Sequence, residues 1–97
     1  MRTTICDAIG NRQVVEFLYR RTRRVVEPHE IGRNRAGNVV LLGYQVGGDG
    51  VDVDPPGWGS YELDSIASLV ATDRTFSGPR SSYSPAGEEL TQTFCWL

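Results

Sequence analysis

Arg20, Arg21, Arg23 and Arg24 form a basic block broken only by Thr22, and the chain's single histidine, His29, lies just beyond it. Guanidinium groups are planar and permanently charged, so such a block suits carboxylates, phosphates and the faces of bases. Single-stranded nucleic acid needs a basic groove with aromatic platforms for base stacking, and Tyr44, Trp58 and Tyr61 are the candidates for those platforms. Tyr44 and Tyr61 also fall on apolar faces of expected strands, where core packing is the competing role. His29 sits near Glu27 and Glu30, an arrangement that invites acid–base chemistry. Strand alternation, however, gives His29 a face with Glu27 and Ile31 and not with Glu30. No GxSxG, GxGxxG or GxxxxGK[ST] pattern accompanies it, so no catalytic residue is assigned and no enzyme is expected. His29 is expected at the surface or against a ligand.

Metal chemistry finds little support. Asp49, Asp52 and Asp54 follow a glycine-rich stretch, but an EF-hand places its glycine after the first acids and a glutamate at position 12, and neither condition is met. Cys6 and Cys95 stand near opposite ends without a CxxC or Cys/His spacing, which leaves no zinc site. With no export signal visible, two free thiols are expected in place of a disulfide, and the default location is cytoplasmic. No cofactor is implied, and no apolar run approaches the roughly 20 residues that span a bilayer.

The net charge of −2 conceals an asymmetry: residues 1–40 carry eight arginines against four acids, and residues 41–97 carry two arginines against eight acids. The basic first half therefore either meets an anionic ligand or pairs internally with the acidic second half. A chain of 97 residues makes one small body whose core holds few large side chains.

The elements that would position these residues follow from periodicity. Residues 3–12 read as a short helix, with Thr4 and Asp7 in a capping-box spacing, Ile5, Ala8 and Ile9 on one face, and Gly10-Asn11 as the stop. It is expected to lie as a lid over the open end of a barrel. Val15, Phe17 and Tyr19 alternate in a first strand, and Arg24 to Ile31 forms its hairpin partner, with Pro28 at an edge, bulge or strand end. The turn between them lacks Gly, Asn and Asp, so only its flanks support a hairpin. Val39 to Val46, the most apolar run, is the expected central strand, with Gly43 allowing sharp curvature. Tyr61 and Leu63 continue an inward face after a 47–57 loop, and Ile66, Leu69 and Val70 supply a last strand. From Phe76 to Pro85 the Ser, Gly and Pro content predicts an arm laid over the body, or partial disorder. Phe94, Trp96 and Leu97 form an apolar end that either tucks in or meets a partner.

Ile5-x-x-Ala8-Ile9, Val15-x-Phe17-x-Tyr19, Arg24-x-Val26-x-Pro28, Leu41-Leu42-Gly43-Tyr44 and Tyr61-x-Leu63-x-x-Ile66-x-x-Leu69, in that order, resemble the WYL family of bacterial and phage regulatory domains. The resemblance covers residues 5 to about 76, with Phe76, Pro79-Arg80 and Tyr83 similar to the arm of short stand-alone members. It implies a mainly β fold: a five-stranded Src-homology-3-like, or Sm-like, barrel over 1–76 with a short N-terminal helix, followed by a C-terminal arm over 77–97. The family's Trp-Tyr-Leu falls on Val39-Val40-Leu41, and two arginines credited with binding nucleic acid or nucleotide-like ligands fall on Gly59 and Ser65, so Arg24 is the family-type basic position that remains.

Together these features give the expectation of a non-enzymatic regulatory domain. It would bind a small anionic or nucleotide-like ligand, or single-stranded nucleic acid, through Arg20, Arg21, Arg23, Arg24, His29, Tyr44 and Trp58, and signal through a separate partner. The alternative is a protein-interaction module, dimerising or docking through strand edges and Phe94, Trp96 and Leu97.

Overall fold

The computed structural model describes residues 1–48, 57–83 and 90–97. Helix α1 (Arg2–Asn11) is followed by β1 (Gln13–Tyr19), β2 (Thr22–Asn34), β3 (Val39–Gly48), β4 (Gly57–Glu62), a 3-10 turn (Leu63–Ser65), β5 (Ile66–Thr75) and β6 (Leu90–Trp96). The sheet is antiparallel with order β4-β3-β2-β1-β5, and β6 also pairs with β2. Among the described residues there are thus six strands, not five. The two outermost, β4 and β5, do not pair with each other, so the expected barrel is an open sheet.

β2 is the organiser. Its first half pairs with β1 (Tyr19↔Thr22 to Val15↔Val26), its other edge runs along β3, and its second half takes β6 (Glu30↔Trp96 to Asn34↔Leu90). Pro28 lies where the β1 partner has ended, the β6 partner has not begun, and the β3 register slips between Pro28 and Glu30. A residue with no N–H is tolerated at such a slip, and the bend lets one strand serve two sheet halves. Residues 25–32 of β2 are consequently buried on both faces, whereas β3, expected to be central, is mostly half-buried. Gly43 is needed for a spatial reason: a Cβ there would run into Val26 Cγ1 and the Glu27 carbonyl at the slip.

The hairpin turn is two residues long, and both Arg20 (φ 54°) and Arg21 (φ 66°) have positive φ. This is the type I′ signature, which normally selects Asn and Gly. Helix α1 buries Ile5, Ala8 and Ile9 as its pattern predicts, but its N-cap is Met1 without a side-chain cap, so the Thr4/Asp7 capping box does not form. Arg12 (φ 54°) closes the helix in the left-handed conformation. The core joins those residues to Val15, Phe17, Tyr19, Val26, Ile31, Leu41, Tyr61 and Ile66. Phe17, Tyr19 and Tyr61 meet edge-to-face within it, at centroid distances of 5.1–6.5 Å.

The chain's last segment takes the tucked-in alternative as strand β6, which is stitched to β2, and it departs from expectation at its cysteine: Cys95 is disulfide-bonded to Cys6 in α1, with Cα atoms 5.6 Å apart. Neither cysteine is a free thiol. The spacing pattern that signals disulfide-rich modules cannot reveal a single pair brought together only by the fold. The 49–56 stretch, with Asp49, Asp52 and Asp54, lies outside the described residues.

Candidate functional site

The structure divides the predicted site into two groups on opposite faces of the sheet. Leu41, Gly43 and Gln45 alternate along the core side of β3, and Leu42 and Tyr44 along the other.

The first group surrounds the hairpin. The Arg20 and Arg24 guanidinium carbons lie 5.4 and 5.9 Å from the Tyr19 ring centroid, so two cations share one ring. Arg24 Nη1 donates to Gln45 Oε1 (3.4 Å), which also accepts from Tyr61 Oη (3.2 Å). Arg24 Nε is buried yet meets no acceptor among the described residues. Arg20 and Arg24 meet no carboxylate among the described residues, whereas Arg23 is engaged by Glu16 at 2.9 Å and turns away from them. Arg21 is exposed at the turn. Burial raises the Tyr61 hydroxyl pKa, with nearby Arg24 opposing the shift, so Tyr61 stays a neutral donor. The structure also shows why Gly59 is not an arginine here: a Cβ would collide with the Tyr61 ring. Ser65 is exposed in the 3-10 turn.

The second group centres on His29, which is fully buried and not at the surface as expected. Its ring packs against Trp58 (4.7 Å), Tyr83 (5.1 Å) and, stacked, Phe76 (5.6 Å). Nδ1 lies 2.8 Å from the Glu27 carbonyl, which only accepts, and Nε2 lies 3.2 Å from the Arg80 backbone N–H, which only donates. The two partners fix a neutral ring with its proton on Nδ1. Burial is the main cause that lowers the His29 pKa below its usual 6.5, with Arg80 adding to it and the Glu27 carbonyl and carboxylate opposing.

Residues Phe76–Tyr83, in the stretch read as an arm or as partly disordered, lie across this face as a strap; residues 84 and 85 lie outside the described residues. Arg12 anchors its start, accepting from the Phe76 N–H through its carbonyl and donating from Nη1 to Ser77 O. Arg80 holds Glu27 with two bonds (2.8 and 3.1 Å) while its guanidinium stacks over Tyr44 at 4.1 Å. Tyr83 stacks on Trp58 and donates to buried Glu30 at 3.0 Å, and Trp58 Nε1 donates to Ser82 Oγ. Burial, helped by Glu30, keeps the Tyr83 phenol well above its ordinary pKa. A half-open pocket of about 340 Å³ is lined by Glu27 and Thr75 to Arg80.

Tyr44 and Trp58 are therefore platforms in the geometric sense, but a guanidinium and a phenol of the same chain already occupy them. Of the terminal trio, Phe94 is half-buried with Arg2 over its ring at 3.6 Å, Leu97 donates its amide to the His29 carbonyl, and Trp96 alone is largely exposed (58 %). Among the described residues no group of three or more His, Cys, Asp or Glu is placed to hold a metal.

Sequence reasoning missed Gln45, Glu27, Glu30 and, above all, Arg80 and Tyr83 as site residues. The available signal was an arginine and a tyrosine three apart in a Ser/Pro segment that offers neither a local partner. No helix among the described residues is long and apolar enough to cross a membrane. Comparison of the chain with protein-family models, with curated proteins and with solved structures returned no match.

Proposed function

We propose that this domain is a non-enzymatic, WYL-like binding module that takes a phosphate-bearing ligand, a nucleotide or a single-stranded nucleic acid, at the Arg20–Tyr19–Arg24 face, and passes the event to a separate partner. The observation that carries the reading is the pair of guanidinium groups sharing one ring with no carboxylate among the described residues, one of them with a buried donor that meets no acceptor among those residues. A buried unsatisfied donor costs about 1–3 kcal/mol, a cost that an oxyanion placed there would remove. The left-handed Arg20-Arg21 turn points the same way, since strained backbone kept in place of Asn-Gly is concentrated at binding sites. With both ring nitrogens of His29 committed to backbone groups, that residue has no free base to offer a reaction.

The experiment is fluorescence anisotropy of labelled ATP and of a labelled single-stranded oligonucleotide at low salt. Arg20→Ala with Arg24→Ala is expected to weaken binding at least about tenfold, the worth of one charge-assisted hydrogen bond. Arg23→Ala, which removes a residue tied to Glu16, is expected to change it little. If the unmodified protein binds neither probe, or the double variant binds as well as the parent, the reading fails. A cytoplasmic setting belongs to this reading as well. Cellular thiols there would hold Cys6 and Cys95 reduced, so binding must survive dithiothreitol.

A second reading, docking by strand addition, is favoured by one observation. β5 ends the sheet, and exposed Val70 and Leu18 stand on the β5–β1 pair. A dimer or captured strand on that edge would appear in light scattering and would be lost on Val70→Lys.

A further inference from the structure

We propose that the Phe76–Tyr83 strap is a proton-operated latch: adding one proton to His29 releases Arg80 and Tyr83 and uncovers the Tyr44–Trp58 face beneath. The inference does not rest on the anion-binding reading, because the two sites lie on opposite faces of the sheet.

Only one position on the ring is open to a second proton. Nδ1–H already donates to the Glu27 carbonyl, so the proton must enter at Nε2. There it replaces the lone pair that receives the Arg80 amide, turning a hydrogen bond into two N–H groups facing each other at about 3.2 Å. No partner in the strap converts from donor to acceptor to compensate, because an amide nitrogen has no usable lone pair.

The charged and titratable groups around the ring divide as follows. Its own strand supplies Glu27 and Glu30. Glu27 favours the imidazolium but is committed to Arg80 through two bonds, and Glu30 is held by Tyr83 and by Thr93 at 2.8 Å. The strap supplies Arg80, a second cation that repels the imidazolium, and the Tyr83 phenol, which stays neutral. β4 supplies the Trp58 indole, β6 contributes no charged side chain, and Leu97 just after it gives its amide to the His29 carbonyl. The ring itself has no contact with water. The cheapest relief for a buried cation in this position is movement of the strap, because β2 beneath it is held by three other strands. The strap also borders a half-open pocket on its own Thr75–Arg80 stretch.

The latch lifts without leaving. Its ends run into β5 at Thr75 and, beyond residues 84–89, into β6, which is disulfide-tied to α1. What it uncovers has a definite chemistry: two aromatic rings beside the Glu27 and Glu30 carboxylates, a face whose resident occupants are a guanidinium and a phenol three residues apart. A partner segment carrying an arginine and an aromatic residue at that spacing would find the same contacts.

The test is 15N-resolved NMR of the full chain from pH 7.5 to 4.5, following the Arg80 amide, the Trp58 indole N–H and the His29 ring together. All three are expected to move on one titration curve with a midpoint below 6.5, while the Val26 and Leu41 amides stay in place. Between the open and closed pKa values of the ring, the open fraction should rise about tenfold per unit fall in pH. In His29→Gln, whose amide does not titrate, the Arg80 and Trp58 signals should no longer move. Arg80→Ala serves as a second variant and should place the Trp58 signal at its acid position at every pH. The proposal is overturned if the Arg80 and Trp58 signals keep their neutral-pH positions until the core amides also shift, or if their titration persists in His29→Gln.

Discussion

Replacing the hairpin turn Arg20-Arg21 by Asn-Gly should make the protein more stable while weakening its proposed anion site. Both residues hold positive φ, 54° and 66°, between the paired Tyr19 and Thr22. A non-glycine residue in the left-handed region costs roughly 1–2 kcal/mol, and Gly removes most of that cost while Asn removes part. Against a gross gain of about 1.5–2 kcal/mol stand the loss of the Arg20–Tyr19 ring contact, worth about 0.5 kcal/mol when exposed, and the greater freedom of glycine in the unfolded chain. The net expectation is about 1 kcal/mol, or a rise in Tm of about 4–8 °C for a domain of this size. Urea and thermal unfolding should be run on the oxidised protein at 0.15 M salt, where the Debye length of about 8 Å limits the trivial gain from removing clustered positive charge. Arg21→Gly alone separates the two effects: it should retain most of the stabilisation and, with Arg20 intact, full affinity for the phosphate-bearing probes. An unchanged or lower Tm in both variants would show that the turn is not strained and would remove one of the two supports for a functional hairpin.

Other expectations concern the strap and the disulfide. Arg80→Ala leaves the Glu27 carboxylate buried without its two donors and should cost about 2 kcal/mol in urea unfolding, with the partial exposure of Arg80 (41 %) keeping the loss below that of a fully buried pair. Because His29 has a lowered folded pKa, the unfolded chain binds its proton first. Its contribution is complete above pH 6.5 and is lost as pH falls from there towards the folded value, so the urea midpoint should drop between pH 7.5 and 5 and drop less in His29→Gln. For Tyr83 the sign reverses: a folded pKa above the ordinary 10.0 gives stability that is complete below pH 10 and is lost above it, visible as a late tyrosinate transition missing in Tyr83→Phe. Cys6→Ser with Cys95→Ser opens a loop spanning nearly the whole chain and should cost up to about 4–5 kcal/mol by loop entropy, read as a lowered urea midpoint that dithiothreitol no longer changes.

Local pattern carried the parts of the fold that depend on neighbours in sequence. The buried face of α1, the β1–β2 hairpin and the slip at Pro28 follow from periodicity or backbone chemistry, whereas Gly43, read as a point of curvature, is required by the close approach of Val26 and the Glu27 carbonyl. What it could not carry was partnership across sequence. LTQTFCW reads as a polar segment ending in an apolar tip, and only β2's second half makes it a strand. For the same reason the Arg24 to Ile31 run, with Pro28 expected at an edge, a bulge or a strand end, gave no sign that Val25 to Gly32 would be buried throughout. The site divides along the same line. The arginine block was visible as a block, but that Arg23 is engaged by Glu16 while Arg24 keeps a donor unmatched among the described residues is a property of side-chain placement. His29 and Tyr83 were legible as residue types, yet their meeting joins positions 54 apart.

The shared use of β2 also bears on how the chain comes together during synthesis. Its first half finds β1 at once through a two-residue turn, and β3 follows after a short loop. The edge from Glu30 to Asn34, however, has no mate until residues 90–96 have been made. Throughout that interval the nascent domain presents a correctly formed but single-sided strand, the kind of edge that recruits another chain's backbone. Assembly is therefore ordered in time, with β6 the last strand to arrive, and a translational pause within residues 76–89 would lengthen the most aggregation-prone stage of its folding.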